Sequence, residues 1–169
     1  MGNVKQMIPV SDTELSDGLW ASLAVERWVA EVLSHSPYPS VAELLRRAEE
    51  AASPLSASEI DEAIAHHPRI GEKPIGDGRS QQFSRDEQAG LGDEETDLVE
   101  AIAAGNAAYE ERFGRVFIIR AAGRSRAEIL SELERRLELP NSTELEIVGD
   151  QLREIALIRL EKLFAPEAP

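Results

Sequence analysis

A serine or threonine followed three residues later by glutamate recurs along the chain, at Ser11/Glu14, Ser40/Glu43, Ser56/Glu59, Ser84/Glu87, Ser125/Glu128 and Thr143/Glu146. At that spacing the hydroxyl accepts from the backbone N–H three residues on, while the glutamate reaches back to the N–H of the capping residue, so each pair marks a helix start. Between the starts Ala, Leu, Glu and Arg predominate, all strong helix formers. The combination predicts helices near 11–17, 20–34, 40–52, 56–66, 84–104, 105–113, 125–138 and 143–164. The interruptions have local causes. Pro37 and Pro39 part the second and third helices, and Pro68, Gly71, Pro74, Gly76 and Gly78 make 68–83 a long loop. Phe113-Gly114 is a helix stop with glycine beyond the end, and Leu139-Pro140-Asn141 parts the last two helices. Only Val116-Phe117-Ile118-Ile119 has strand-like composition; it is too short to build a sheet and reads as an extended connector. The expected fold is all-α, a single-domain bundle of about eight helices. The domain spans 1–169, with 1–18 and 165–169 peripheral.

A chain of 169 residues can bury a core without covalent staples. It has no cysteine, which excludes disulfide and thiol chemistry. The formal charge of −14 argues against nucleic acid as a partner, because phosphate binding depends on clustered Lys and Arg. No apolar run has the length to span a bilayer. The chain also lacks a leader-like start and a targeting tail, so no membrane partner and a cytoplasmic location are expected. An anionic small-molecule ligand would need particular arginines to create a local positive spot against the overall field.

Three places carry candidate chemistry. His67 follows His66 and precedes Pro68, at the broken end of a helix, because a proline pushes the preceding residue out of helical geometry. It is either a cap complementing the helix dipole or an acid–base group titrating near neutrality. Glu87 completes the Ser84 capping box, yet it also stands at a helix N-terminus suited to receive an anion. Gln88 beside it offers both a donor and an acceptor. Arg159 projects into the apolar stripe formed by Leu145, Val148, Leu152, Ile155, Ala156, Leu160 and Leu163. A guanidinium there needs an anionic partner, either a structural carboxylate or a ligand carboxylate held bidentately. Trp20 and Trp28, eight apart, read as one core-facing pair. With only His35 as a third imidazole and no metal-ligand spacing, no metal site is expected. The alternatives from residues alone are a helical interaction module, in which His67 and Glu87 are only caps, and a metal-dependent hydrolase using His66, His67 and a carboxylate.

Taken in order, the motifs resemble a known family. His67-Pro68-Arg69-Ile70-Gly71, Ser84-x-x-Glu87-Gln88-Ala89-Gly90, Asn106-x-x-Tyr109-x-x-x-Phe113-Gly114-x-x-Phe117-Ile118 and Arg159-Leu160 are similar to the 2-oxo-4-hydroxy-4-carboxy-5-ureidoimidazoline (OHCU) decarboxylases of urate degradation. The similarity runs from about Trp20 to Leu163, while 1–18 matches little. The resemblance implies an all-helical, cofactor-free enzyme, often a homodimer, that converts this ureidoimidazoline to (S)-allantoin and carbon dioxide. It implies that His67 and Glu87 are catalytic. It also implies that Pro68, Ser84, Arg85, Asp86, Glu87, Gln88, Arg159 and the segment Ile119, Arg120, Ala121, Ala122 and Gly123 contact the substrate, the segment largely through its backbone.

Overall fold

A computed structural model describes residues 8–65, Phe83, Glu87 and 96–165. Among these residues there are seven helices and no strands. They are α1 (Asp12–Ser22), α2 (Glu26–Ser34), α3 (Val41–Ala51), α4 (Ala57–Ile64), α5 (Thr96–Phe113), α6 (Arg126–Leu137) and α7 (Asn141–Phe164). The expected long loop at 68–83 lies outside the described residues, apart from Phe83, which is helical.

Four of the six start signals act as read. The hydroxyls of Ser11, Ser40, Ser56 and Ser125 accept from the backbone N–H of Glu14, Glu43, Glu59 and Glu128 at 3.1, 3.2, 3.2 and 3.1 Å. Among the described residues only Ser56 and Glu59 close the reciprocal box, with the Ser56 N–H donating to Glu59 Oε1 at 3.0 Å. Thr143/Glu146 is not a start, because α7 already begins at Asn141 after Pro140, whose fixed φ suits the entry to a helix. Ser84 lies outside the described residues. The N-terminus of α2 is capped from a distance instead, the Glu26 N–H donating to Glu62 of α4 at 2.8 Å.

Of two expected helix breaks one falls elsewhere and one is absent, and both involve glycine. Helices were expected to part near residue 18, but α1 continues to Ser22 and the chain turns extended at Leu23 and Val25. Both of those side chains are buried, so core packing decides the break rather than local propensity. Gly18 sits inside α1 because a Cβ there would lie 2.5 Å from Phe164 Cζ. The expected division between 104 and 105 is absent, and α5 runs through Gly105, where a Cβ would lie 2.4 Å from Leu133 Cδ2. These glycines permit helices to approach closely; they do not end them. The relocated break also separates the two tryptophans. Trp28 is buried in α2, its indole N–H donating to Ala48 O at 2.9 Å, whereas Trp20 on α1 is 42% exposed, so they do not form one core-facing pair.

The core has two parts. α7 is the axis of the larger one, packing on α1, α3 and α4, with α2 against α1 and α3. α5 and α6 pack on each other around the smaller one. The connector 116–121 runs between them as a single extended thread. Its side chains alternate as strand geometry requires: Val116 and Ile118 enter the larger cluster, while Phe117, Ile119 and Ala121 enter the smaller.

Candidate active site

α7 carries charged residues at both ends of its buried stripe. That stripe is Glu144, Val148, Leu152, Ile155 and Arg159, spaced so that all five fall on one helical face. Arg159 is 1% exposed. Its Nε donates to Glu87 Oε1 at 2.9 Å and its Nη2 to Glu87 Oε2 at 3.2 Å, a fork-to-fork pair across 72 residues of sequence. Its Nη1 donates to the carbonyl of Ala21 in α1 at 3.2 Å, and the guanidinium lies 5.5 Å from the centroid of Phe83. The carboxylate of Glu87 is itself largely buried. Each carboxylate oxygen that accepts once from Arg159 has a further lone pair, so Glu87 can accept a second donor without leaving the arginine.

Thus two of the residues predicted for the site meet. Arg159 has an anionic partner in Glu87, held through Nε and Nη2. His67, Pro68, Ser84, Arg85, Asp86 and Gln88 lie outside the described residues.

The predicted segment Ile119–Gly123 is described throughout. Ile119 and Ala121 are buried, and Gly123 adopts φ +81°, closing a turn in which the Arg124 N–H donates to Ala121 O at 3.1 Å. A side chain at position 123 would be strained by that backbone whatever the space around it. The Arg120 N–H donates to Gln151 Oε1 of α7 at 2.9 Å, and the Arg120 guanidinium is 4.0 Å from Glu154. Gln151 and Arg159 are eight residues apart on α7, about 12 Å along its axis. One helix therefore fixes both the thread and Glu87.

Reading the sequence missed a second buried network. Arg136, in the last turn of α6, and Glu144, in the first turn of α7, are both essentially inaccessible. Arg136 Nε donates to both Glu144 oxygens at 2.9 and 3.1 Å, and its Nη2 also contacts Glu144. The Tyr109 hydroxyl donates to the same carboxylate at 2.6 Å, and Arg136 lies 4.6 Å over the Phe117 ring. Burial, and then the hydrogen bond to Glu144, hold the Tyr109 phenol above its ordinary range. The remaining arm of Arg136, Nη1, donates to Ile118 O at 2.8 Å. The signal was available: Arg136 continues the stripe Ile129, Leu133, and Glu144 begins that of α7, both charged residues in core register.

Among the described residues no group of three His, Asp or Glu side chains could hold a metal ion. Nor is any helix among them long and apolar enough to cross a membrane.

An all-helical unit whose motifs fall in family order defines a class of protein, and comparison agrees. The family model for OHCU decarboxylase matches residues 10–161, and the chain belongs to that family. It is 27% identical to the 2-oxo-4-hydroxy-4-carboxy-5-ureidoimidazoline decarboxylase of Haloferax volcanii, over 97% of each chain. It is 28% identical to the uric acid degradation bifunctional protein of Bacillus sp. (strain TB-90), covering 97% of this chain and 32% of that protein, so it spans about a third of such relatives. A crystal structure of OHCU decarboxylase in the presence of (S)-allantoin superposes with a TM-score of 0.75 at 26% identity, covering 89% of this chain and 99% of the other.

Proposed function

We propose that this chain, as a single decarboxylase unit over 1–169, converts OHCU to (S)-allantoin and carbon dioxide in urate degradation, without a cofactor. The observation that supports it most is the meeting of Glu87 and Arg159: two residues assigned to the ligand site by motif pair in a buried position.

The reaction needs little from the protein except placement. The substrate carries a carboxylate and a hydroxyl on one ring carbon next to a C=N bond. As the carbon–carboxylate bond breaks, its electron pair moves into that C=N system, and carbon dioxide leaves. A proton must then reach one face of the ring to set a single handedness. In this reading His67 contacts the hydroxyl region and delivers the proton. Glu87 orients His67 and favours its charged form, as an adjacent carboxylate does for an imidazole. Arg159 acts through Glu87, holding both carboxylate oxygens so that the remaining lone pairs face the reacting groups. Gln88 and the backbone of 119–123 grip the ureido and ring carbonyl groups, with Pro68, Ser84, Arg85 and Asp86 completing the lining. The enzyme is further proposed to be a cytoplasmic homodimer.

The test adds purified protein to freshly generated OHCU and follows its ultraviolet decay and the circular dichroism of the product. Rapid decay to optically active (S)-allantoin is expected. His67→Ala and Glu87→Gln, which keeps a hydrogen-bonding partner for Arg159, should each lose about 100-fold or more while retaining helical circular dichroism. Near-normal decay by either variant would reject its role, and a racemic product would reject one-faced protonation.

A further inference from the structure

A lone extended thread cannot satisfy its backbone polar groups from a neighbouring strand, so each needs another partner. In extended backbone, successive residues present N–H and C=O to opposite edges. Ile118 and Arg120 therefore share one edge, and Ile119 and Ala121 share the other. The first edge is held by side chains: Ile118 O by Arg136 of α6, and the Arg120 N–H by Gln151 of α7. Arg136 is in turn held by Glu144, whose carboxylate also accepts from the Tyr109 hydroxyl. Among the described residues nothing accepts from the N–H of Ile119 or Ala121 on the second edge.

We infer that Gln151 and the Tyr109–Glu144–Arg136 chain are positioning residues for substrate: they anchor one edge of the thread so that the opposite edge, at Ile119 and Ala121, meets the ligand carbonyls in fixed register. This rests on the decarboxylase reading, which gives the thread its ligand. It explains why Tyr109 and Phe117-Ile118 belong to the motif order although neither is charged with chemistry. Tyr109 closes the far end of the chain of contacts, Phe117 carries the Arg136 guanidinium on its face, and Ile118 offers the carbonyl that is gripped. A thread loosened at one edge spreads the opposite N–H groups over several positions, and misplacement of this order weakens a contact geometry steeply.

The test uses variants that remove an anchor without cutting into the core. Gln151→Met keeps the side-chain length and deletes the acceptor for the Arg120 N–H; Tyr109→Phe keeps the ring and deletes the hydroxyl. The swapped pair Gln151→Glu with Glu154→Gln retains an acceptor at 151 and a hydrogen-bonding neighbour at 154. Both KM for OHCU and Kd for (S)-allantoin should rise about 10-fold in Gln151→Met, with kcat changed less. Tyr109→Phe should move in the same direction, amide exchange at Ile119 and Ala121 should quicken in both, and the swapped pair should restore KM. Melting temperature is measured in parallel, and assays run well below it. If wild type is active and both variants keep KM within about twofold, the inference is overturned and the decarboxylase reading stands. Failure of the swapped pair to restore KM, or a KM that rises only where the protein is melting, overturns it as well. If wild type leaves OHCU untouched, the decarboxylase reading fails, and the inference falls with it.

Discussion

Alanine normally stabilises a helix relative to glycine by about 1 kcal/mol. At Gly105 the structure predicts the reverse. A Cβ there would sit 2.4 Å from Leu133 Cδ2 and 3.1 Å from its Cγ, where carbon atoms rest at about 3.5–4.0 Å. Leu133 is fully buried between α5 and α6, so it cannot swing into solvent. Overpacking of a closed core costs about 1–3 kcal/mol, and an overlap beyond 1 Å belongs at the upper end. Set against the propensity gain, Gly105→Ala should destabilise by about 2 kcal/mol. Leu133→Ala alone should cost about 2–5 kcal/mol through its cavity. In that background the obstructing methyl is gone, and Gly105→Ala should then stabilise by about 1 kcal/mol. The four proteins form a double-mutant cycle with a coupling of about 3 kcal/mol, read by urea unfolding with far-ultraviolet circular dichroism. A Gly105→Ala protein as stable as wild type, or a coupling near zero, would refute the close-approach argument.

Three further outcomes follow. Arg159→Met strands the buried Glu87 carboxylate and should cost about 3–5 kcal/mol of unfolding free energy, whereas adding Glu87→Gln should recover part of the loss; a double variant less stable than Arg159→Met would contradict the pairing. The guanidinium of Arg27, followed by the Ser56 cap, holds Glu59 below the ordinary carboxylate range. The stability from Glu59 is therefore complete above about pH 4.3 and lost as pH falls through its lower folded value, so Glu59→Gln should flatten the acid limb of a stability–pH curve. Trp20 and Trp28 should separate by iodide quenching: Trp20→Phe should remove most of the quenchable emission and leave a shielded signal from Trp28.

The parts of the fold legible in the sequence are those set by short-range chemistry. Ser56 and Glu59 form their box from residues three apart, and Gly114 ends α5 with φ +71° as a glycine past a helix end should. What misled were the glycines within helices. Gly18 and Gly105 look like punctuation, but their reason lies in Phe164 and Leu133, far along the chain. For the site, Arg159 is conspicuous as a charge inside an apolar stripe, and a guanidinium there needs an anion. That the anion is Glu87 could not be read, because register on one helix says nothing of what another brings to it. Arg136 and Glu144 carried the same mark, hidden because each lies near a helix end, where charge is ordinary.

The thread between the two hydrophobic clusters has one more consequence. Its fastenings come from the corner where α6 gives way to α7 and from the middle of α7, while its flanking side chains insert on either side. Any loosening that lets the α5–α6 pair drift from the rest would slacken the thread before a single turn of helix unwound. On the proposed role of the thread, a gently warmed molecule would lose its hold on a small guest while its helicity stayed whole, so a full helical spectrum would be a poor certificate that the protein still works.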